Sequence, residues 1–223
     1  MKIEMKETLD GSNTLYVESI DEHYHSTFGA IQESQHVYIH AGFDCCQGDD
    51  IHVLEIGFGT GLNCYLTLLA CLKTDKTVRY YSVENYPLPA ETWGKLNFST
   101  HFPETDSTWF SKLHMAPWNC DAEIIQQFFL HKIEADLLLF NPDGLPLIDL
   151  IYFDAFSPEK QPELWERSVF EKLFGNMKEE GILVTYCAKG YVRRMLQSIG
   201  FQVERIPGPP GKREMIRAKK IKN

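Results

Sequence analysis

The pattern of apolar and polar residues is clearest over residues 52–72, where an apolar run leads through three alternate glycines into a second apolar segment. The run at residues 52–56 is typical of a buried parallel strand. From Leu62 to Leu72, apolar residues recur at helical spacing. The pattern therefore predicts a strand, a tight turn and a helix that packs back on the sheet.

Further apolar runs predict the rest of a sheet. The predicted strands are residues 78–84, 110–118, 149–154, 181–187, 201–206 and 214–218. The predicted helices are residues 89–97, a segment after Pro162, and residues 190–199. Two β-like runs, 128–131 and 137–140, predict an inserted hairpin within residues 126–148. The fold class that follows is α/β, with a mostly parallel, seven-stranded, doubly wound Rossmann-like sheet.

Residues 1–50 do not share this pattern, and we expect them to form an N-terminal extension over the mouth of a site. A turn at Asp10-Gly11-Ser12 precedes a short predicted strand at residues 14–17. A helix is predicted from about Ala30, with Gly42 as its terminator. Residues 51–223 then form the Rossmann-like domain.

The glycine turn has a spacing that excludes two common nucleotide motifs. Its order is Glu55-x-Gly57-x-Gly59-x-Gly61, so the third glycine of a dinucleotide fingerprint is replaced by Leu62. A Walker phosphate loop is excluded as well, because no Gly-Lys-Ser/Thr follows. Bare glycine backbone still allows a ligand to approach closely. A ligand at the start of the following helix is therefore expected.

Two acidic residues stand where strands of the sheet end. Glu84 closes the predicted strand 78–84, and a carboxylate there can accept bonds from ribose hydroxyls. Asp154 closes the predicted strand 149–154, and it could also simply cap the turn that follows. Ligands of open α/β sheets bind beyond the carboxyl ends of the strands. The glycine turn and Glu84 together resemble the S-adenosylmethionine pattern of class I methyltransferases.

Composition limits the partners and the location of the protein. The chain of 223 residues carries a net charge of −9, and no stretch approaches the roughly 18 apolar residues of a membrane span. The charged N-terminus lacks a signal-peptide core, so a cytoplasmic location is expected. Six scattered cysteines indicate free thiols, and His36 with His40 lacks an evident third ligand, so no metal is expected.

The charge is distributed unevenly along the chain. Residues 189–223 carry ten Lys or Arg and two acids, a formal charge of +8, which leaves −17 for residues 1–188. A basic end on an acidic body fits either a phosphate-binding surface or a solvated lysine-rich tail. Charge alone leaves both interpretations open.

Several motifs together resemble the bacterial transfer-RNA wobble-uridine methyltransferases of the MnmC and MnmD type. They are Asp10-Gly11-Ser12, Tyr24-His25-Ser26, the glycine turn, Tyr152-Phe153-Asp154-Ala155-Phe156-Ser157-Pro158, Thr185-Tyr186-Cys187-Ala188-Lys189-Gly190 and Gly208-Pro209-Pro210-Gly211-Lys212-Arg213. The resemblance covers nearly the whole chain. It implies N-methylation of 5-aminomethyl-(2-thio)uridine in transfer RNA, with S-adenosyl-L-methionine as donor and neither flavin nor metal. It also implies a monomeric, stand-alone methyltransferase whose aminomethyl substrate comes from a separate enzyme.

The resemblance and the strand-end positions assign roles to individual residues. Asp154 is the expected catalytic carboxylate, which orients the amine and stabilises the charge that develops on it. The expected cofactor-binding residues are Glu55, Gly57, Phe58, Gly59, Gly61, Asn63, Glu84, Asn85, Trp118, Asn119, Asp154, Tyr24 and His25. Glu55 is expected near the methionine end, and the loop 119–121 near the adenine. The expected substrate and RNA contacts are Phe156, Lys160, Lys189, Arg193, Arg194, Lys212 and Arg213.

Other functions remain compatible with the sequence. A methyltransferase of a small amine or of a protein would make the basic end incidental. A non-catalytic S-adenosylmethionine-binding module would keep the glycine turn but transfer no methyl group. A steep fall of activity with salt would indicate phosphate contacts and separate the RNA enzyme from the first alternative.

Overall fold

An eight-stranded sheet runs through the protein, with a three-stranded antiparallel sheet beside it. The computed structural model describes residues 2–221. The small sheet contains β1 (Ile3–Glu7), β2 (Asn13–Val17) and β3 (Glu22–His23). The large sheet has the order β10-β11-β9-β8-β4-β5-β7-β6. Its strands are β4 (Asp50–Ile56), β5 (Thr77–Glu84), β6 (Asp121–Ile125), β7 (Phe128–Glu134), β8 (Ile148–Phe153), β9 (Met177–Thr185), β10 (Phe201–Pro207) and β11 (Glu214–Lys220).

The centre of the large sheet is parallel. Strand β4 pairs with β5 on one side and with β8 on the other, and β5–β7 and β8–β9 are also parallel pairs. The chain thus moves outward from β4 in one direction and later returns to its other side. Such a reversal opens a crevice at the carboxyl ends of β4 and β8, where ligands of α/β sheets bind.

Helices cover both faces of the sheet. They are α1 (Ala30–Ser34), α2 (Leu62–Cys71), α3 (Ala90–Trp93), α4 (Thr108–Met115), α5 (Arg167–Gly175) and α6 (Gly190–Ile199). Side chains of β4 alternate between the two cores: Val53 packs with α2 and α4, while Leu54 packs with α5 and α6. Because both faces are buried, the strand reads as a continuous apolar run.

The third strand of the parallel region is not where the sequence placed it. Residues 110–118, predicted as a strand, fall mainly in helix α4. Asp106 accepts bonds from the N–H and hydroxyl of Thr108 at the start of this helix, at 2.8 and 2.6 Å. Phe110 and Leu113 then bury one face at i, i+3 spacing. Strand β7 takes the predicted place beside β5.

Two further expectations, the inserted hairpin and the number of strands, are also wrong. No inserted hairpin occupies residues 126–148: the run 128–131 belongs to β7, whereas 137–140 forms a turn and an irregular residue. The hairpin pairs β6 with β7 instead. With β6 added at the edge, the sheet has eight strands rather than seven.

The N-terminal region contains the predicted strand and helix, with more structure than expected. Strand β2 pairs with both β1 and β3 to form a meander. Helix α1 continues directly into a π-helix, Gln35–His40, before Ala41. Such wide turns are uncommon and occur often at functional sites. Here the wide turn carries Tyr38, whose hydroxyl contacts Asp154 in the cavity described below.

Some negative findings apply to residues 2–221. Every helix in this part of the chain is too short or too polar to pass through a bilayer. The same residues hold no group of three or more His, Cys, Asp or Glu side chains arranged to bind a metal ion. The six cysteines are free thiols.

Candidate active site

A cavity of about 490 Å³ opens at the carboxyl ends of β4, β5 and β8. Its volume is within the range of small-molecule sites, about 300–1,000 Å³. Eleven of the residues singled out from the sequence line it: Tyr24, His25, Gly57, Phe58, Gly59, Asn63, Glu84, Asn85, Asp154, Phe156 and Lys212. The sheet order thus brings distant parts of the sequence to one crevice.

The glycine turn forms one wall with its backbone. Gly57 and Gly59 have φ of +94° and +47°, in the left-handed region that favours glycine. A Cβ on Gly59 would lie 2.9 Å from the ring of Tyr24. The turn is therefore closed to side chains and open to a ligand that approaches the backbone.

Glu84 is fixed against this turn. One carboxylate oxygen accepts a bond from the N–H of Gly59 at 2.9 Å, and the other from the N–H of Tyr86 at 2.8 Å. Each oxygen keeps a further lone pair for a ligand. The arrangement holds an acceptor at the end of β5 without the flexibility of a free side chain.

Asp154 lies opposite, at the end of β8. Its oxygens accept bonds from the Tyr38 hydroxyl and, at 2.7 Å, from the amide of Asn63. Burial raises the pKa of Asp154 to about 7, and the bonds from Tyr38 and Asn63 work against this rise. A carboxyl in this state is close to half ionised at neutral pH, which suits a group that accepts a hydrogen bond or a proton.

Tyr38 is a part of the site that the sequence did not reveal. It falls within the helix predicted from about Ala30, and it is 1% exposed. Its ring packs against that of Tyr152 at 5.1 Å. Because it lies in the π-helix, its hydroxyl meets Asp154, which is 116 positions away in the chain.

Glu33 and Lys212 close the cavity at its mouth. Lys212 Nζ lies 2.9 Å from Glu33 Oε1 and 4.0 Å from the centre of the Tyr186 ring. The other Glu33 oxygen accepts a bond from the N–H of Ser26 at 2.8 Å. The ion pair between Lys212 and Glu33 joins helix α1 to the loop between β10 and β11. Glu33 was not singled out in the sequence, because no local pattern distinguishes it.

Two histidines fix the glycine turn from outside. His25 Nε2 contacts the hydroxyl of Thr60 at 2.6 Å, and His114 Nε2 donates to the Thr60 carbonyl at 3.0 Å. Burial lowers the pKa of His25 to about 4 and that of His114 to about 3. Both rings are therefore neutral at pH 7.

Some residues predicted to bind the cofactor do not reach the cavity. Glu55 is completely buried below it, accepts a bond from Ser82 at 2.6 Å, and has its pKa raised by that burial. Gly61 caps α2 away from the cavity. Trp118 packs against Phe58 at 5.8 Å instead, and Asn119 follows it outside the cavity.

The loop 119–121, which was predicted to lie near the adenine, does not line the cavity, because the third strand is elsewhere in the chain. The segment that follows the real third strand, β7, brings Ala135, Asp136 and Leu137 to the cavity wall. The loop 119–121 precedes β6 instead. The strand order thus places residues 135–137, and not residues 119–121, at the cavity wall.

The predicted cationic residues differ in their surroundings. Lys160 pairs with Asp21 at 3.0 Å, and Lys189 pairs with Glu159. Arg193, Arg194 and Arg213 form no ion pair within residues 2–221. Lys189 immediately precedes α6, at the same sheet edge as Asp154. These side chains surround the cavity rather than line it, with Lys212 as the exception.

Comparison with known proteins finds related sequences. Residues 118–221 match a family model described as S-adenosyl-L-methionine-dependent methyltransferase. A relative from Actinobacillus pleuropneumoniae serotype 5b, the tRNA 5-methylaminomethyl-2-thiouridine biosynthesis bifunctional protein MnmC, is 29% identical over 94% of this chain and 34% of its own length. The protein of the same name from Leptospira borgpetersenii serovar Hardjo-bovis is 32% identical over 89% of this chain and 32% of its own. The chain thus spans about a third of the length of these relatives.

A solved structure agrees with the fold. The crystal structure of MNMC2 from Aquifex aeolicus superposes with a TM-score of 0.76 at 26% identity, covering 97% of this chain and 70% of that one. The α/β class predicted from the sequence is confirmed. The match extends over the N-terminal region as well as the large sheet.

Proposed function

We propose that this chain, of which residues 118–221 match a family model described as S-adenosyl-L-methionine-dependent methyltransferase, methylates the amine of 5-aminomethyl-(2-thio)uridine at the wobble position of transfer RNA. The observation that carries the proposal is Asp154, a carboxylate held at the cavity by Tyr38 and Asn63. The names of the relatives, which concern 5-methylaminomethyl-2-thiouridine, supply the substrate class.

The residues present fit the donor. Gly57 and Gly59 leave backbone exposed where a Cβ would fill the space, and Glu84 has free lone pairs for ribose hydroxyls. Asp136, which follows the third strand, is the candidate for the adenine. When bound, S-adenosyl-L-methionine supplies a methyl group attached to a positively charged sulfur, and this sulfur is the leaving group when the lone pair of the amine attacks the methyl carbon in line.

Asp154 would act on the amine. A protonated amine has no lone pair, so the nucleophile must be neutral. Ionised Asp154 can accept an N–H bond from that amine and stabilise the positive charge that forms on nitrogen as the new bond is made. The excess proton of the methylated ammonium then passes to Asp154 or to water. Tyr38 and Asn63 keep the carboxylate in one orientation, which lowers the entropic barrier to reaction.

The substrate base would have to leave its stack to reach this carboxylate. Phe156 and Tyr24 line the cavity and pack edge to face at 5.1 Å, so they offer aromatic surface to the base. Arginine side chains on α6 and on the loop after β10, which form no ion pair with any residue of the described range 2–221, are available for phosphates. The acidic body of the protein would disfavour RNA elsewhere.

The test is methyl transfer to transfer RNA isolated from cells that lack this modification. Labelled S-adenosyl-L-methionine should give labelled 5-methylaminomethyl nucleoside after digestion. Transfer RNA that already carries the modification is the matched control and should remain unlabelled. Label in a protein or small amine, with none in RNA, would overturn the proposal.

Salt dependence gives an independent check. Phosphate contacts release counterions, so RNA affinity should fall steeply as salt rises, with a log–log slope near −0.7 for each contact to single-stranded RNA. Affinity for S-adenosyl-L-methionine alone should change far less. Equal salt dependence of both would argue against a phosphate-binding surface.

A further inference from the structure

Phe28 is a half-exposed aromatic residue at the mouth of the cavity. Its side chain is 51% exposed, yet it lines the cavity together with Tyr24 and Lys212. Its N–H donates to the Ser26 hydroxyl at 3.2 Å, and Gly29 follows with φ of +143°. The ring therefore projects from a defined turn between β3 and α1.

The ring lies against the loop between β10 and β11. A Cβ on Gly211 would be 2.7 Å from Cε2 of Phe28, and Gly211 has φ of +85°. Only bare backbone can occupy this position while the ring stays where it is. The next residue, Lys212, ties the same loop to Glu33 at 2.9 Å. The contact with Gly211 and the backbone N–H bond to Ser26 thus place an apolar ring at the surface.

Charged side chains of both signs lie near the ring, and among them Lys212 is paired with Glu33. Arg213 is exposed and has no ion pair among residues 2–221, and Lys212 is beside it. A rigid aromatic surface next to cations is the combination that binds single-stranded nucleic acid, since bases stack on the ring and phosphates contact the charges. An apolar protein partner would gain nothing from these charges.

We propose that Phe28 is a stacking platform for a nucleobase adjacent to the one that enters the cavity. The inference rests on the proposed function, because it takes RNA as the substrate, and it adds a specific recognition residue. Stacking on an aromatic ring is tolerant of base identity. Phe28 would therefore strengthen binding of the anticodon loop without selecting its sequence.

The experiment compares Phe28→Ala, Phe28→Leu and Phe28→Trp with the unmodified protein. The substrate is an anticodon stem-loop RNA carrying 5-aminomethyluridine at the wobble position. Loss of the ring should raise KM for the RNA by roughly 5- to 100-fold, while kcat and the affinity for S-adenosyl-L-methionine change little. Phe28→Trp should retain the low KM, and Phe28→Leu should behave like Phe28→Ala although it preserves apolar volume.

Leu147→Ala is the matched control, because Leu147 is 52% exposed and lies just before the amino end of β8, away from the cavity. It should leave KM unchanged. An unchanged KM in Phe28→Ala would overturn the inference, as would a KM in Phe28→Leu equal to that of the unmodified protein.

Equilibrium binding separates this failure from failure of the proposed function. The RNA carries 2-aminopurine next to the wobble position, and its fluorescence reports stacking. Quenching by the unmodified protein and by Phe28→Trp, but not by Phe28→Leu, supports the platform whatever the methyl-transfer result. Absence of methyl transfer by the unmodified protein would refute the proposed function but not the stacking platform. Equal quenching by all variants would refute the platform alone.

Discussion

The two walls of the cavity are built in different ways. The wall formed by the β4–α2 turn is made of backbone, with Gly57 and Gly59 two positions apart in sequence and Glu84 bonded to the N–H of Gly59. The facing wall is made of side chains from remote segments, chiefly Asp154 and Lys212, and the buried Tyr38 supports Asp154 from behind. A backbone wall suits a ligand that is always the same. A wall of side chains can be altered piece by piece to fit an acceptor.

The difference also affects how each wall is held. Positive φ angles and tight contacts fix the glycine turn, so most side chains there are excluded by sterics. Hydrogen bonds and one ion pair hold the opposite wall, and these depend on protonation. Substitutions in the first wall should therefore abolish binding, and substitutions in the second should change rates and pH dependence.

The largest effect is expected in the side-chain wall, from Asp154→Asn. The amide cannot take up a proton or stabilise the developing ammonium, so kcat should fall by about 10²- to 10⁴-fold. Single-turnover methyl transfer measures the rate, and calorimetry measures the affinity for S-adenosyl-L-methionine. Asp75→Asn, which alters an exposed carboxylate, is the control. If Asp154→Asn turned over normally, Asp154 would be only a structural cap.

The backbone wall should respond to Gly59→Ala with a loss of binding. The new Cβ would lie 2.9 Å from the Tyr24 ring, and a left-handed φ costs a non-glycine residue about 1–2 kcal/mol. Affinity for S-adenosyl-L-methionine should drop about tenfold or more. Gly144→Ala meets no atom within 4 Å and should bind normally. Unaltered affinity in Gly59→Ala would show that the turn does not contact the donor.

A smaller effect on rate should come from Tyr38→Phe. The pKa of Asp154 is about 7, and the Tyr38 bond is the strongest influence that lowers it. Without that bond the pKa rises, so a smaller fraction of Asp154 is ionised at pH 7. The midpoint of the rate-against-pH curve should move to higher pH, with rates converging above about pH 9. A midpoint that stays in place or moves down would contradict the assignment.

The contact between His25 and Thr60 should give the smallest effect, on stability. The pKa of His25 is about 4 in the folded protein, below the ordinary 6.5, so the unfolded chain binds the proton more readily. Its contribution is complete above pH 6.5 and is lost as pH falls towards 4. Thermal denaturation should show a loss of about 1–3 kcal/mol over this range. His25→Gln should show a shallower dependence on pH, and parallel curves would rule out this contribution.

The backbone wall could be predicted from the sequence because its signals are local. An apolar run, alternate glycines and an acid at the next strand end lie within residues 52–84. The same holds for β8, since the run before Asp154 is continuous. The spacing of apolar residues was sufficient to predict these strands and helix α2, because both faces of the sheet are buried.

The remaining errors have physical causes. The segment at residues 110–118 is short and largely apolar, and such runs are compatible with both a strand and a helix. The bond from the N–H of Thr108 to Asp106 at the start of the segment favours the helix. Glu55 follows Leu54 in a strand, so its side chain points into the opposite core rather than up to the cavity. Glu33 and Tyr38 could not be predicted, because their partners are set by the tertiary fold.

The π-helix at Gln35–His40 ties the length of this segment to acid–base chemistry. Removal of a single residue before Tyr38 would restore regular α-helical winding and turn the phenol by about 100° around the axis. The helix would still form, but the hydroxyl of Tyr38 would no longer reach the carboxyl of Asp154, which follows β8. Insertions and deletions at this point therefore alter the proton affinity of Asp154.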